Sequence, residues 1–233
     1  VGGSTGQMVN LLVNFFVGLA SGATVIIARY YGAKKGKELN DTLHTAAALS
    51  VAGGIIISIA GILLAPFMME LLKTPGDVIK DSIIYLRIYF AGIIFVFIYN
   101  VGSAILRAVG DSTRPLYFLI VCCFLNIFLD VLLVVGMNLG VAGAAIATVV
   151  SQAVSAVLVI WALMKSKDIY RLEIPQIRFH KFLLISIVTI GLPAGLQSVM
   201  YNASNMIVQS ALNSLGTSTM AAYTAFGKID AIY

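Results

Sequence analysis

A chain of 233 residues with 60% hydrophobic and only 11% charged residues differs from soluble domains, in which charged residues make up about 25%. Together with a mean hydropathy of +0.98, this composition excludes a water-soluble globular domain and predicts an all-α integral membrane protein with several crossings. The net charge of +5 comes from loops between apolar runs, so it indicates membrane topology rather than binding of nucleic acid.

Three apolar runs open the chain, and each is long enough to cross a hydrocarbon core about 30 Å thick as a helix. They cover Gly6 to Ala28, Thr45 to Met69 (with Pro66 near its end) and Ile83 to Ile105. The first run carries one stripe of polar and small residues at spacings of three and four: Gln7, Asn10, Asn14, Gly18 and Ser21. The stripe predicts either helix packing or one wall of a wet cavity, and in the second case Asn14 lines a substrate path.

The next two runs, Leu116 to Val135 and Ala144 to Met164, predict an antiparallel transmembrane hairpin. The segment between them is short and rich in glycine, so it permits only a tight return. Asp130 is the single acidic or basic residue of the first run, and the second run has none. A charged side chain at membrane depth costs at least about 2.5 kcal/mol, so Asp130 indicates a function.

Two further oxygen-bearing side chains are expected beside Asp130. Asn126 lies one helical turn earlier on the same face, and Thr148 lies at a similar distance from the turn on the second helix. Carboxylate, amide and hydroxyl oxygens suit a hard cation such as Na⁺, or a proton held by the carboxylate. The alternative is a buried aspartate hydrogen-bonded to Asn126 only so that both polar groups are satisfied.

The second half of the chain begins with a polar stretch, Lys165 to Lys181, and continues with an uncharged region from Phe182 to Gly227. That region is too long for one crossing and is expected to divide near residues 213–219, with a kink at Pro193. Polar residues follow the kink in a row along one face, and we expect them to line the substrate cavity: Gln197, Tyr201, Asn202 and Asn205. A final helix is expected from Met220, and the sequence leaves the roles of Lys228 and Asp230 within it open.

Basic residues are concentrated on one side of the predicted membrane. They occur in the loops after the first, third and fifth runs, whereas the opposite side holds only Lys73, Lys80 and Arg87. The positive-inside rule places the basic loops in the cytoplasm. Asp130 then lies in the outer half of the membrane.

Several short segments together resemble the multidrug and toxic compound extrusion (MATE) family of cation-coupled antiporters, with DinF-like and NorM-like members. The matching segments are Gly18 to Ala33, Arg107 to Pro115, Asn126 with Asp130, Gly143 to Thr148, Gly191 to Pro193 and Ala221 to Tyr223. The resemblance implies the two-lobe, twelve-helix bundle of the MOP superfamily. It assigns residues 1–164 to the N-lobe (the end of helix 1 and helices 2–6), residues 165–181 to a cytoplasmic inter-lobe linker, and residues 182–233 to the start of the C-lobe. We therefore expect the chain to be a fragment cut at both ends.

The resemblance also implies roles for the hairpin residues. Asn126, Asp130 and Thr148 match residues of the N-lobe cation site in DinF-like and archaeal members. Some members carry a glutamate on helix 7 instead, but this sequence has no acidic residue between Phe182 and Gly227. Coupling through the N-lobe is expected, with Na⁺ or H⁺ as the ion and no other cofactor.

The implied function is alternating-access antiport that exports amphipathic or cationic drugs in exchange for Na⁺ or H⁺. A related flippase for lipid-linked saccharides is the alternative; such proteins carry basic cavity residues, whereas the apolar runs before Lys228 hold only Arg87, near the entrance of the third run. An enzyme is not expected, because acidic residues are scattered and His44 and His180 flank loops. The expected partners are a drug-like small molecule and membrane lipid, for a multi-pass cell-membrane protein that is monomeric at full length.

Overall fold

The computed structural model describes the backbone of residues 4–71, 79–166 and 168–214; within these ranges the side chains of residues 4–12, 16, 71 and 205–214 are not described. Six long helices account for most of these residues: α1 Ser4–Gly32, α2 Gly36–Leu71, α3 Ile79–Ala108, α4 Thr113–Asp130, α5 Gly140–Lys165 and α6 Lys181–Ser214. A π-helical segment, Val131–Gly136, extends α4, and a short 3₁₀ turn, Ile174–Gln176, interrupts the segment between α5 and α6.

The six helices are all long and apolar enough to cross a membrane, which confirms the prediction of a multi-pass, all-α integral membrane protein. The prolines do not end their helices: α2 continues past Pro66 to Leu71, and α6 runs through Pro193. Neighbouring helices in a bilayer make such prolines tolerable. The expected last helix, with Lys228 and Asp230, lies outside the described residues.

The helices pack around α3, which contacts α1, α2, α4 and α5. One buried cluster lies toward the end that carries the basic loops and includes Ile27, Leu43, Ile105 and Val159. The α4 span is peripheral, since only 6% of it is buried, compared with 39% of the α5 span. The α4–α5 hairpin is therefore attached to the bundle mainly through α5.

Four glycines allow α1 and α6 to cross at close range. Gly18 and Gly22 of α1 and Gly191 and Gly195 of α6 form a Gly-x-x-x-Gly pair on each helix. A Cβ atom at any of these positions would lie within 3.0 Å of the backbone of the opposite helix. In a membrane, where helix association depends on close packing, this contact joins α6 to the first five helices.

The segment between α5 and α6 is fastened to α2 by side chains near the basic end of the bundle. His44 is 1% exposed; its Nδ1 lies 2.8 Å from the carbonyl oxygen of Asn40, and the backbone N–H of Glu173 donates to its Nε2 at 3.0 Å. The same Nε2 lies 3.1 Å from the Glu173 carbonyl oxygen. Thr45 Oγ1 accepts the His180 N–H at 3.3 Å. His44 therefore lies beside a loop, and its buried ring holds that segment in place.

The loop before α4 has the conformation that its residues favour. Gly110 adopts φ +92°, in the left-handed region that glycine tolerates. Asp111 accepts the Arg114 N–H at 3.1 Å, and its other oxygen forms an ion pair with Arg114 Nε at 3.1 Å. Asp111 thus stabilises the first turn of α4.

Gly18→Ala is expected to lower the thermal stability of the protein, because the added methyl group would meet the backbone of α6. Overpacking of this kind costs about 1–3 kcal/mol. Gly32→Ala is the matched control, since a Cβ atom there meets nothing within 4 Å. The measurement is the apparent melting temperature of each purified variant in detergent. Equal melting temperatures for the two variants would contradict the close crossing.

Candidate functional site

The candidate site lies where α4 changes from α-helical to π-helical geometry. Asp130 is the last residue of α4, and the π-helical segment begins at Val131. π-helical turns are rare in proteins. Those that occur often lie at functional sites, because the extra residue changes the direction of neighbouring side chains. After this segment Asn138 and Gly140 both adopt φ +53°, and the chain reverses into α5.

Thr148 lies at the membrane level of the two α4 residues. A Cβ atom on Gly143 would be 3.1 Å from the carbonyl carbon of Leu133, so α5 passes directly against the π-helical segment at this point. Thr148 is five residues beyond Gly143, and antiparallel packing puts it about level with Phe128. Phe128 is midway between Asn126 and Asp130 in the sequence. The three predicted oxygen donors therefore share one depth.

Two polar atoms of this group have no hydrogen-bond partner. Asn126 Nδ2 and Asp130 Oδ1 are both inaccessible to solvent and unpaired among the described residues. Thr148 Oγ1 donates to the carbonyl oxygen of Ala144 at 3.0 Å, which leaves its lone pairs as acceptors. The α4 residues do not satisfy each other through these two atoms. An unpaired buried carboxylate oxygen is the kind of group that a cation or a proton satisfies.

Tyr85 of α3 is a neighbour of this site that sequence reasoning missed. It interacts electrostatically with Asp130, and its ring stacks on Tyr89 with 6.2 Å between centroids. Tyr85 lies six residues after the start of α3, and Asp130 lies six residues before Gly136. These equal offsets from the same membrane face were the available signal. Tyr85 therefore brings a hydroxyl group from a third helix to the neighbourhood of Asp130.

The predicted substrate residues occupy varied environments. Gln197 is exposed, and Tyr201 is 69% exposed, so neither lines a closed cavity in the part of the chain that the structure describes. Asn202 is half-buried and donates to the carbonyl oxygen of Ser198 on its own helix at 2.7 Å. Asn14 is half-buried on α1, and the α1–α6 crossing puts it about level with Val199. The Asn205 side chain is outside the described residues.

A cleft with polar and apolar lining residues lies between α1 and α3, on the side of the bundle where both helices end. It has a volume of about 290 Å³ and is lined by Val17, Ala20, Ser21, Thr24, Val25, Asn100, Ala104 and Arg107. Ser21 of the polar stripe lines this cleft, whereas Gly18 of the same stripe packs against α6. Asn100 and Arg107 were not predicted to take part. Their contribution depends on the packing of α3 against α1, which is not local in sequence.

Comparison with known proteins agrees with this geometry. The family model described as MatE matches residues 1–132. The probable multidrug resistance protein YoeA of Bacillus subtilis (strain 168) is 31% identical over 226 residues, which are 94% of this chain and 49% of YoeA. The chain thus spans about half the length of the curated relatives it matches.

Solved structures give the same fold. The outward-facing conformation of a multidrug resistance MATE family transporter of the MOP superfamily matches with a TM-score of 0.88 and 24% identity, over 99% of this chain and 52% of that one. The inward-facing conformation of such a transporter matches with a TM-score of 0.79 and 25% identity, over 91% and 49%.

Asn126→Leu is expected to stabilise the protein, because it removes a buried amide nitrogen that has no partner and introduces an apolar side chain of similar size. An unsatisfied buried group costs about 1–3 kcal/mol. The matched control is Asn100→Leu, in which the replaced nitrogen already donates to the carbonyl oxygen of Val96 at 2.8 Å. Melting temperatures in detergent without Na⁺ compare the two variants. A loss of stability in Asn126→Leu as large as that in Asn100→Leu would contradict the unpaired state of Asn126.

Proposed function

Because this chain belongs to the MatE family of transporters, we propose that it supplies the cation-coupling half of a secondary antiporter that exports drug-like molecules by alternating access. The unpaired oxygen of Asp130, inside a helix built for the membrane, carries this proposal. A permanently unsatisfied carboxylate at that depth is costly, so a function that fills and empties it explains its presence. The coupling ion in this account is Na⁺ or H⁺.

The site is built to hold one small cation. A carboxylate, an amide and two hydroxyl groups supply hard oxygen donors from α3, α4 and α5, in accord with the ligand preference of Na⁺. A proton uses the same place differently, since it neutralises Asp130 and makes the carboxyl group a hydrogen-bond donor. Either event removes the same uncompensated charge. Binding of the cation or proton therefore acts on the hairpin at the point where α4 becomes π-helical.

Binding of the ion must then affect the substrate path. The hairpin contacts the rest of the bundle through α5 and α3, and α3 also packs on α1, which crosses α6 at the four glycines. A shift of the loaded hairpin is passed along this chain of helices to the start of the proposed C-lobe. Alternating access needs two arrangements of the lobes, and a cation that binds one arrangement better shifts the population toward it.

The proposed division of the chain follows the same geometry. Residues 1–164 would form the N-lobe, residues 165–181 the inter-lobe linker and residues 182–233 the start of the C-lobe. The fastening of the linker to α2 by His44 supports a linker that moves with the N-lobe. The flexing point then lies next to Lys181, where α6 begins.

The proposed substrates are amphipathic organic molecules, many of them cationic. YoeA is described as a probable multidrug resistance protein, which supports export of drugs over flipping of lipid-linked saccharides. The exposed row of Gln197 and Tyr201, with Asn202 beside it, presents hydrogen-bonding groups and one aromatic ring along α6. Such a surface suits substrates that differ in shape.

Asp130→Asn is expected to abolish gradient-driven efflux while the protein still reaches the membrane. The replacement keeps the shape of the side chain but removes the charge that a cation or proton neutralises. The measurement is efflux of a fluorescent cationic dye from cells that produce the transporter from its complete gene, with membrane expression measured in parallel. Imposed Na⁺ and pH gradients, applied separately, identify the coupling ion.

The matched control is Asp81→Asn, which removes an exposed carboxylate from the first turn of α3 on the same side of the membrane. This variant is expected to export the dye normally. Normal efflux by Asp130→Asn would remove the coupling role of Asp130 and with it the proposed function. Loss of efflux in both variants would point to a general effect of charge near the outer surface instead.

A further inference from the structure

A second cleft lies at the opposite end of the α4–α5 hairpin from Asp130. It opens where α4 begins and α5 ends, and the segment after α5 closes one side of it. Its volume is about 580 Å³, within the usual range of small-molecule sites. It is lined by Arg114, Phe118, Trp161, Ala162, Lys165, Ser166, Asp168 and Tyr170.

The lining is arranged in two layers along the membrane normal. Phe118 is one turn deeper than Arg114 on α4, and Trp161 is one turn deeper than Lys165 on α5. Aromatic rings therefore lie toward the hydrocarbon, and charged groups lie toward water. This is the order of the membrane interface, where tryptophan and tyrosine sit at the level of lipid headgroups.

The charged side chains of the cleft are only partly paired within the protein. Arg114 is 53% exposed and pairs through Nε with Asp111, which leaves its terminal nitrogens free to donate elsewhere. The Lys165 ammonium lies 4.7 Å from the centre of the Trp161 ring. No ion pair joins Lys165 or Asp168 to another described side chain. The cleft thus offers a ligand the Lys165 ammonium, the Asp168 carboxylate and the terminal nitrogens of Arg114.

We propose that this cleft binds the headgroup of a phospholipid that carries both a phosphate and a primary ammonium, that is, of the phosphatidylethanolamine class. The phosphate would lie between Arg114 and Lys165, and the ammonium would pair with Asp168. Basic pockets between membrane helices on the cytoplasmic side commonly hold lipid phosphates. This inference is independent of the proposed transport function.

The presence of Asp168 decides between classes of lipid. An anionic headgroup such as phosphatidylglycerol lacks the ammonium that would offset the repulsion between its phosphate and that carboxylate. A choline headgroup has no N–H to donate to the carboxylate, so it forgoes a charge-assisted hydrogen bond. Deeper in the membrane than the cleft, the surface of α4 that faces away from the bundle is apolar and exposed, with Phe124 at 70% and Phe128 at 64%. It provides a surface for the acyl chains.

A lipid bound here would also join two parts of the chain. Arg114 and Lys165 belong to the hairpin, whereas Asp168 and Tyr170 belong to the linker that His44 holds on α2. The headgroup would therefore tie the peripheral hairpin to the linker at the end remote from Asp130. Such a lipid stabilises the protein by mass action, because it binds only the folded state.

The test is lipid binding to the purified, delipidated protein in detergent, measured by native mass spectrometry. Dioleoyl phosphatidylethanolamine, phosphatidylcholine and phosphatidylglycerol are added separately at matched concentrations. Phosphatidylethanolamine is expected to bind about tenfold more tightly than the other two, the difference that one charge-assisted hydrogen bond supplies. Phosphatidylglycerol binding as tightly as phosphatidylethanolamine would overturn the proposal.

Substitutions localise the effect. Lys165→Gln is expected to weaken phosphatidylethanolamine binding about tenfold, whereas Lys165→Arg retains it. Asp168→Asn is expected to weaken phosphatidylethanolamine binding and to strengthen phosphatidylglycerol binding. Lys35→Gln removes an exposed cation elsewhere on the same side and is expected to change neither. Equal losses in Lys165→Gln and Lys35→Gln, or unchanged phosphatidylethanolamine binding in Asp168→Asn, would reject a specific site.

Discussion

A polar group that enters hydrocarbon must find its hydrogen-bond partner inside the protein, and this constraint shapes the whole bundle. The backbone meets it by forming long helices. Hydroxyl side chains meet it by donating to the carbonyl group one turn earlier, as Thr148, Ser151 and Ser198 do. Ser103, Asn126 and Asp130 break the pattern, since each has a buried side-chain atom without a partner among the described residues. Asp130 is the ionisable member of the three, so it identifies the part of the fold that needs something from outside the chain.

The same constraint explains why the bundle relies on small residues at its main joint. Lipid tails solvate leucine as well as another helix does, so apolar surface alone does not hold helices together. Gly18, Gly22, Gly191 and Gly195 instead let two backbones approach closely. In the proposed two-lobe protein, a joint made by shape would let the lobes pack firmly in one arrangement and repack in another. Polar fastening is confined to the ends, where His44 holds the linker.

Hydropathy was sufficient to predict the six crossings of the described residues and the hairpin, because span length and charge-free runs are local properties of the sequence. Asp130 was visible for the same reason, as a lone acid in an apolar run. Tyr85 was not, because tyrosine is ordinary in a span and its meeting with Asp130 depends on how α3 packs. The contact of His44 with the distant Glu173 was not predictable either, because they lie 129 residues apart in the chain. Local sequence patterns do not reveal contacts between segments that are far apart in the chain.

The most direct test of the central claim is infrared difference spectroscopy of the purified protein, which follows the ionisation of one carboxyl group. Lowering the pH should produce a protonated carboxylic acid band that is absent from Asp130→Asn. If Na⁺ is the coupling ion, its addition should suppress that band by competing for the same oxygens. The account predicts that loss of the band in Asp130→Asn accompanies loss of coupling. A titrating band that is unchanged in Asp130→Asn would contradict it, because the exchangeable charge would then lie elsewhere.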